Sequence, residues 1–161
     1  MILGMTPFTF VHVALSLIGI AAGLIVALGL LRSQRLSALT GLFLATTALT
    51  SLTGFGFPLD PFKPSHGVAI ISLVVLAITA YALYGRGALD AWRWIYVIGA
   101  VISLYLNVFV LVAQAFLKVP ALKALAPTQA EPPFAIAQGV VLIVFIALGI
   151  LAINRFWPEP T

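Results

Sequence analysis

The chain predicts an all-α polytopic membrane protein, a bundle of five transmembrane helices, and three observations carry that reading. The first concerns solvent: 63% of the residues are hydrophobic and only 7% are charged, where soluble domains carry roughly 25% charged residues. A domain of 161 residues leaves much of its surface exposed, so here that surface must meet lipid. The second is segmentation. Apolar runs of about 20 residues, the length a bilayer core requires, alternate with short polar or proline-bearing stretches. The third is the break from Gly56 to His66, which holds Pro58, Pro61 and Pro64. Proline has no N–H to donate and pushes the residue before it into an extended conformation, so the flanking helices must end and restart there.

The first helix is expected over residues 8–31, long enough at about 1.5 Å per residue to cross a core of roughly 30 Å. No Lys or Arg precedes Phe8 and the run is longer than a signal core, so a retained helix is expected. His12, Ser16, Gly19 and Gly23 fall on one stripe, with Ile20 off it, and Gly19 to Gly23 is a GxxxG that lets a second helix approach closely. After the basic turn Arg32-Ser33-Gln34-Arg35, the second helix, residues 37–55, is the least apolar. Thr40, Thr46, Thr47, Thr50, Ser51 and Thr53 lie in it. Their hydroxyls can bond carbonyls one turn back, so packing is the simpler account of the Thr46, Thr50 and Thr53 face.

The third helix is expected over 65–84, with Ser65 as its N-cap and Gly85-Arg86-Gly87 as its stop. Trp92, Arg93, Trp94 and Tyr96 form an aromatic-basic cluster suited to the headgroup level. They open the fourth helix, 91–116, whose Ser103, Asn107 and Gln114 share a side. Carboxamides in hydrocarbon are costly without partners, so this stripe should face the bundle interior. Residues 117–133 form a second loop, with one short interfacial turn at Ala121 to Leu125. The fifth helix, 134–156, follows Pro132-Pro133 and carries Gln138 in its second turn. The chain reads as a single membrane domain over 1–161.

Five spans put the termini on opposite sides. Arg32, Arg35, Arg86, Arg93 and Arg155 mark one face and Lys63, Lys118 and Lys123 the other, five cations against three. The positive-inside rule makes the arginine face cytoplasmic and the N-terminus extracytoplasmic. On that topology His12, Thr50, Thr53, His66, Gln114 and Gln138 all fall in the outer half, with Asn107 at mid-depth. The inner half is almost entirely Leu, Ile, Val, Ala and Gly. This asymmetry predicts a polar vestibule open to the extracytoplasmic face.

Several functions are excluded or weakened. Eight basic residues scattered singly make no nucleic-acid surface, despite a net charge of +4. Cysteine is absent, which removes disulfides, thiolate metal sites and cysteine nucleophiles. Asp60, Asp90, Glu131 and Glu159 all lie in loops or the tail, which argues against a proton or ion path through the bundle. The expectation is a binding or accessory protein without intrinsic catalysis and with no cofactor by default. A small apolar or quinone-like ligand would meet Thr50, Thr53, Asn107, Gln114 and Gln138. The partners expected are the bilayer and either a second copy or a larger membrane complex. The competing reading is a membrane redox protein with haem b held by His12 and His66, two imidazoles at equal depth near helix N-termini. Interfacial histidines bonded to loop carbonyls are the plainer alternative. A zinc site from Asp60, His66, His12 and Glu131 has suitable ligand types but no signature spacing.

Three stretches carry a resemblance: Gly54-Phe55-Gly56-Phe57-Pro58, Trp92-Arg93-Trp94-Ile95-Tyr96 with Leu106-Asn107-Val108-Phe109-Val110, and Ala126-Pro127-Thr128-Gln129-Ala130-Glu131-Pro132-Pro133-Phe134. Together they resemble an uncharacterised family of small multi-spanning bacterial membrane proteins. The resemblance implies a bacterial inner membrane and lends no activity.

Overall fold

In the computed structural model, residues 4–58 and 64–157 are described, and among them the protein is helical with no strand. The order is α1 (Pro7–Leu31), α2 (Ser37–Gly54), α3 (Pro64–Ala80, continued by a π-helical turn Tyr81–Gly85), α4 (Ala91–Lys118), the short α5 (Pro120–Leu125) and α6 (Pro132–Arg155). Each long helix lies within a few residues of its expected span. The interfacial turn expected near Ala121 is α5. Ser65 does not cap α3, because the helix already includes Pro64, placing Ser65 inside the first turn.

Four helices are long and apolar enough to cross a membrane: α1, α3 with its π turn, α4 and α6. The expected count of five is not reached, because α2 is not among them. Its 18 residues, about 27 Å, come close to the thickness of a bilayer core, but its threonines and serines dilute its apolar character. The same residues explain where α2 sits. Thr40, Thr46, Thr47 and Ser51 are buried against neighbouring helices, so α2 spends its polar side inside the bundle.

The helix termini follow from local chemistry. Thr6 caps α1, accepting from the Thr9 N–H at 3.2 Å, and Pro7 occupies the first turn, where its missing N–H costs nothing. At the other end Ser33 takes a left-handed conformation (φ 56°) and the Gln34 N–H returns to Gly29 O at 2.8 Å. Arg93 opens α4 and closes α6. Its guanidinium donates to the carbonyls of Ile153 at 2.8 Å and Phe156 at 2.6 Å and lies 3.7 Å from the centre of the Trp157 ring. Terminal carbonyls that no helical N–H can reach thus receive a cation where the helix dipole is negative. The backbone N–H of Trp157 donates to Ser33 Oγ at 2.8 Å, and Arg35 donates to Gly87 O. Those contacts join the α1–α2 turn, the α3–α4 turn and the end of α6 into one locked end of the bundle.

Packing centres on α4, which touches α1, α3, α5 and α6, while α2 lies between α1 and α3. Phe43, Val97, Leu104 and Leu30 are fully enclosed at this junction. The outward faces stay apolar, with Leu17, Leu24, Ile25, Ile71, Val74 and Ile143 exposed, as a hydrocarbon solvent favours. Gly19 and Gly23 form the expected seam. A Cβ on Gly19 would stand 3.0 Å from Thr46 Oγ1, and one on Gly23 would meet Leu104 Cδ1 at 2.7 Å and the Phe43 ring at 2.9 Å. Ile20, expected off the stripe, is buried too, because α1 presents a second flank to the bundle. Gly99 makes the matching approach between α4 and α3, where a Cβ would collide with Thr79 Oγ1.

Gly23→Leu should therefore wedge α1 away from Phe43 and Leu104, at a cost of about 1–3 kcal/mol for overpacking. Size-exclusion profiles and thermal unfolding in detergent should show a lower yield and midpoint, while Leu24→Ile, on the lipid face, should match the unmodified protein. Equal behaviour of the two variants would place the seam in lipid.

Candidate functional site

Of the expected polar residues the structure joins His12 and Thr53 to each other, while Asn107 and Gln138 find other partners across helix boundaries. Thr53 is the hinge of the first pair. Its Oγ1 donates its single hydrogen to a carbonyl of its own helix, with Leu49 O at 2.7 Å and Thr50 O at 3.1 Å. The same Oγ1 lies 2.8 Å from His12 Nδ1, a hydrogen bond whose donor is set by the imidazole tautomer. The ring edge also meets Phe57, with centroids 5.0 Å apart.

Asn107 makes the second pair. It is 9% exposed, and its Nδ2 donates to Thr47 Oγ1 at 2.9 Å. Gly19 of α1 lies against the same Thr47 hydroxyl, a Cβ there standing at 3.2 Å. One carboxamide, one hydroxyl and one missing side chain thus bring α4, α2 and α1 together. Thr50 turns its hydroxyl back to Thr46 O at 2.8 Å and makes no reach across the bundle in that bond.

Gln138 is also 9% exposed. Its Nε2 donates to Phe109 O of α4 at 3.0 Å, yet its Oε1 is buried with no hydrogen-bond partner among the described residues. Such an acceptor costs about 1–3 kcal/mol. Gln114 is half-buried on the same face of α4. The neighbouring carbonyl of Ala113 accepts from Gln129 Nε2 at 2.7 Å, and Phe116 meets Phe134 edge to face at 5.4 Å. These contacts hold the loop between α5 and α6 over the ends of both helices. Gln129, with a left-handed backbone (φ 61°), was not singled out from the sequence; a lone loop glutamine carries no signal of the carbonyl it will find.

His66 is 2% exposed in the first turn of α3, its ring nearly parallel to Phe55 at 6.2 Å. Each histidine therefore packs on an aromatic residue from the segment that ends α2: His12 on Phe57, His66 on Phe55. Because α2 lies between α1 and α3, that segment stands between the elements that carry the two rings. The metal reading gains no assembled ligand set. Asp60 lies outside the described residues, and no group of three or more His, Cys, Asp or Glu side chains comes together among the rest. Glu131 is engaged locally. Desolvation opposes its ionisation, but the Thr128 hydroxyl at 2.8 Å and surrounding backbone N–H groups outweigh it and hold the carboxyl below its ordinary value.

Two hollows mark the surface. One, of about 240 Å³, is an apolar groove between α4 and α6 bounded by Val101, Tyr105, Phe145 and Gly149. The other, of about 160 Å³, lies at the arginine end beside Arg35 and Tyr96. Neither is bordered by the polar residues of the opposite end. What that end offers chemically is hydrogen bonding and apolar contact: donors and acceptors from Asn107, Gln114, Gln138 and the threonines, framed by Phe55, Phe57, Phe109 and Phe116.

The Asn107–Thr47 pair is testable by a double-mutant cycle with Asn107→Leu and Thr47→Val. Polar pairs between helices in lipid are worth about 0.6 kcal/mol and at most about 2 kcal/mol. A coupling in that range is expected from unfolding measurements in mixed micelles, and additive effects would show that the two side chains act separately.

No protein-family model, curated protein or solved structure matches this chain.

Proposed function

We propose that this is a binding or accessory protein of a bacterial inner membrane, without intrinsic catalysis, whose polar seam faces the extracytoplasmic side. The seam receives a small apolar or quinone-like ligand bearing a hydrogen-bond donor. The observation that carries the reading is Gln138 Oε1, a buried acceptor left unmatched while Nε2 is engaged by Phe109 O. A ligand hydroxyl reaching Oε1 would remove that penalty, and the surrounding phenylalanines suit an apolar ring. A short-chain benzoquinol should raise the unfolding midpoint of the purified protein, and Gln138→Leu should abolish the rise. Lack of any response from the unmodified protein would sink the reading.

On this proposal α2 is the fifth span. α1 and α3 both begin at the polar end, as the contacts of His12 with Thr53 and of His66 with Phe55 support, so the chain must return between them. The arginine excess then puts the locked end in the cytoplasm and the N-terminus outside. Reporter fusions after Pro127 and after Thr161 should report opposite compartments, the first extracytoplasmic; a cytoplasmic signal after Pro127 would reverse the orientation.

The haem b alternative draws on one feature, that His12 meets Thr53 through Nδ1 and makes no use of Nε2 in that bond. It requires His12 and His66 to leave Phe57 and Phe55 and the α2 end to withdraw from between them. A Soret band that shifts on reduction of the purified protein would favour it, and a colourless protein would end it.

A further inference from the structure

The cavity at the arginine end is far from the polar seam and differs from it in chemistry. Arg35, Ser37 and Thr40 form one wall and Leu83, Tyr84 and Tyr96 the other. Arg35 is tethered through Nη2 to Gly87 O, which holds the guanidinium against the turn before α4. Its Nε is buried and has no hydrogen-bond partner among the described residues. A guanidinium N–H hidden from water and left unmatched is costly, more so than a neutral donor. Nothing in the helical architecture forces this arrangement, since Arg35 lies in a surface turn from which a long side chain can ordinarily reach water.

The side chains lining the cavity share one character. Ser37, Thr40, Tyr84 and Tyr96 all bring hydroxyls, and no carboxylate lines the cavity. Tyr84 reaches back toward α2, its hydroxyl 3.6 Å from where a Cβ on Gly41 would stand. The start of α2 adds to the same potential, because Leu36 provides no side-chain cap for its first N–H groups. Asp90, in the α3–α4 turn, is exposed and not part of the wall. A fixed cation with several hydroxyl donors and no competing anion matches a tetrahedral oxyanion, which guanidinium groups bind through paired charge-assisted hydrogen bonds. The cavity also lies among helix ends flanked by Trp92 and further arginines, the level at which lipid headgroups sit.

We propose that this cavity binds a phosphate group, with Arg35 as the principal ligand and Tyr84 as a hydroxyl donor. The phosphate belongs to a phospholipid headgroup or to a free phosphate, and the experiment separates the two. Protein purified in maltoside detergent is titrated with phosphatidylglycerol, with a diacylglycerol of the same acyl chains, and with inorganic phosphate, reading the thermal unfolding midpoint. Phosphatidylglycerol should raise the midpoint and the diacylglycerol should not. A response to phosphatidylglycerol alone identifies a lipid headgroup, and a response to inorganic phosphate as well identifies a site for the free oxyanion.

Arg35→Gln should weaken the apparent affinity about tenfold, the loss of one charge-assisted contact. Arg32→Gln, at an exposed position in the same turn that does not line the cavity, should leave it unchanged. Tyr84→Phe keeps the ring at an exposed position and serves if Arg35→Gln fails to fold for want of its Gly87 contact; it should weaken binding by a smaller factor. Silence of the unmodified protein toward both phosphate probes overturns the proposal. So does an equal loss in Arg32→Gln and Arg35→Gln, which would mean diffuse surface charge, or an unaltered affinity in Tyr84→Phe where Arg35→Gln cannot be measured.

Discussion

A polar atom in a hydrocarbon environment finds no solvent partner, and this constraint shapes nearly every contact in the bundle. Backbone groups meet it by forming helices throughout the described residues. Side chains meet it across helix boundaries, as His12 does with Thr53, Asn107 with Thr47 and Gln138 with Phe109 O. These bonds need helices close enough for short side chains to reach, and the glycines make that possible. Gly19 admits the Thr46 and Thr47 hydroxyls, and Gly99 admits Thr79. Since lipid gives little hydrophobic drive for helices to associate, close packing and a few hydrogen bonds hold the assembly together.

The two ends answer the constraint differently. At the arginine end, cations satisfy carbonyls that helix geometry leaves orphaned, as when Arg93 binds the last turn of α6 and Arg35 the α3–α4 turn. Each such contact ties two distant parts of the chain, so this end is braced. The opposite end relies on neutral hydrogen bonds and aromatic contacts, and Gln138 Oε1 stays unmatched there, as do the buried hydroxyls of Ser72 and Ser103 deeper in the bundle. Neutral contacts are weaker than charge-assisted ones, which leaves that end better suited to rearranging around a guest. Arg35, whose Nε is unmatched, is the exception within the braced end, and its side chain lines a cavity.

Much of the architecture could be read directly from the chain because lipid makes secondary structure a local matter. Apolar length and proline placement set the five long helices to within a few residues of where they form, and the small-residue stripe of α1 identified its packing face. The inward turn of Asn107 followed from the cost of a bare carboxamide alone. The status of α2 was harder to judge. Seven hydroxyl residues make it marginal as a span by composition, and only its placement between α1 and α3 shows that Thr40, Thr46, Thr47 and Ser51 are buried against neighbours.

Composition and spacing by themselves therefore determined that the protein is helical and built of apolar helices suited to a membrane, since each of these depends on transfer free energies that act residue by residue. Pairing was decided by the tertiary structure. Which aromatic ring each histidine would pack on depended on the path of the chain after α2, and the fold set His12 on Phe57 and His66 on Phe55. That Gln138 would keep a bare acceptor, Gln129 would cover Ala113, and Arg35 would hide an N–H beside a cavity likewise followed from helix rotation and loop return. Such features depend on small differences between many packing contacts summed over the whole bundle, and no stretch of sequence carries them alone.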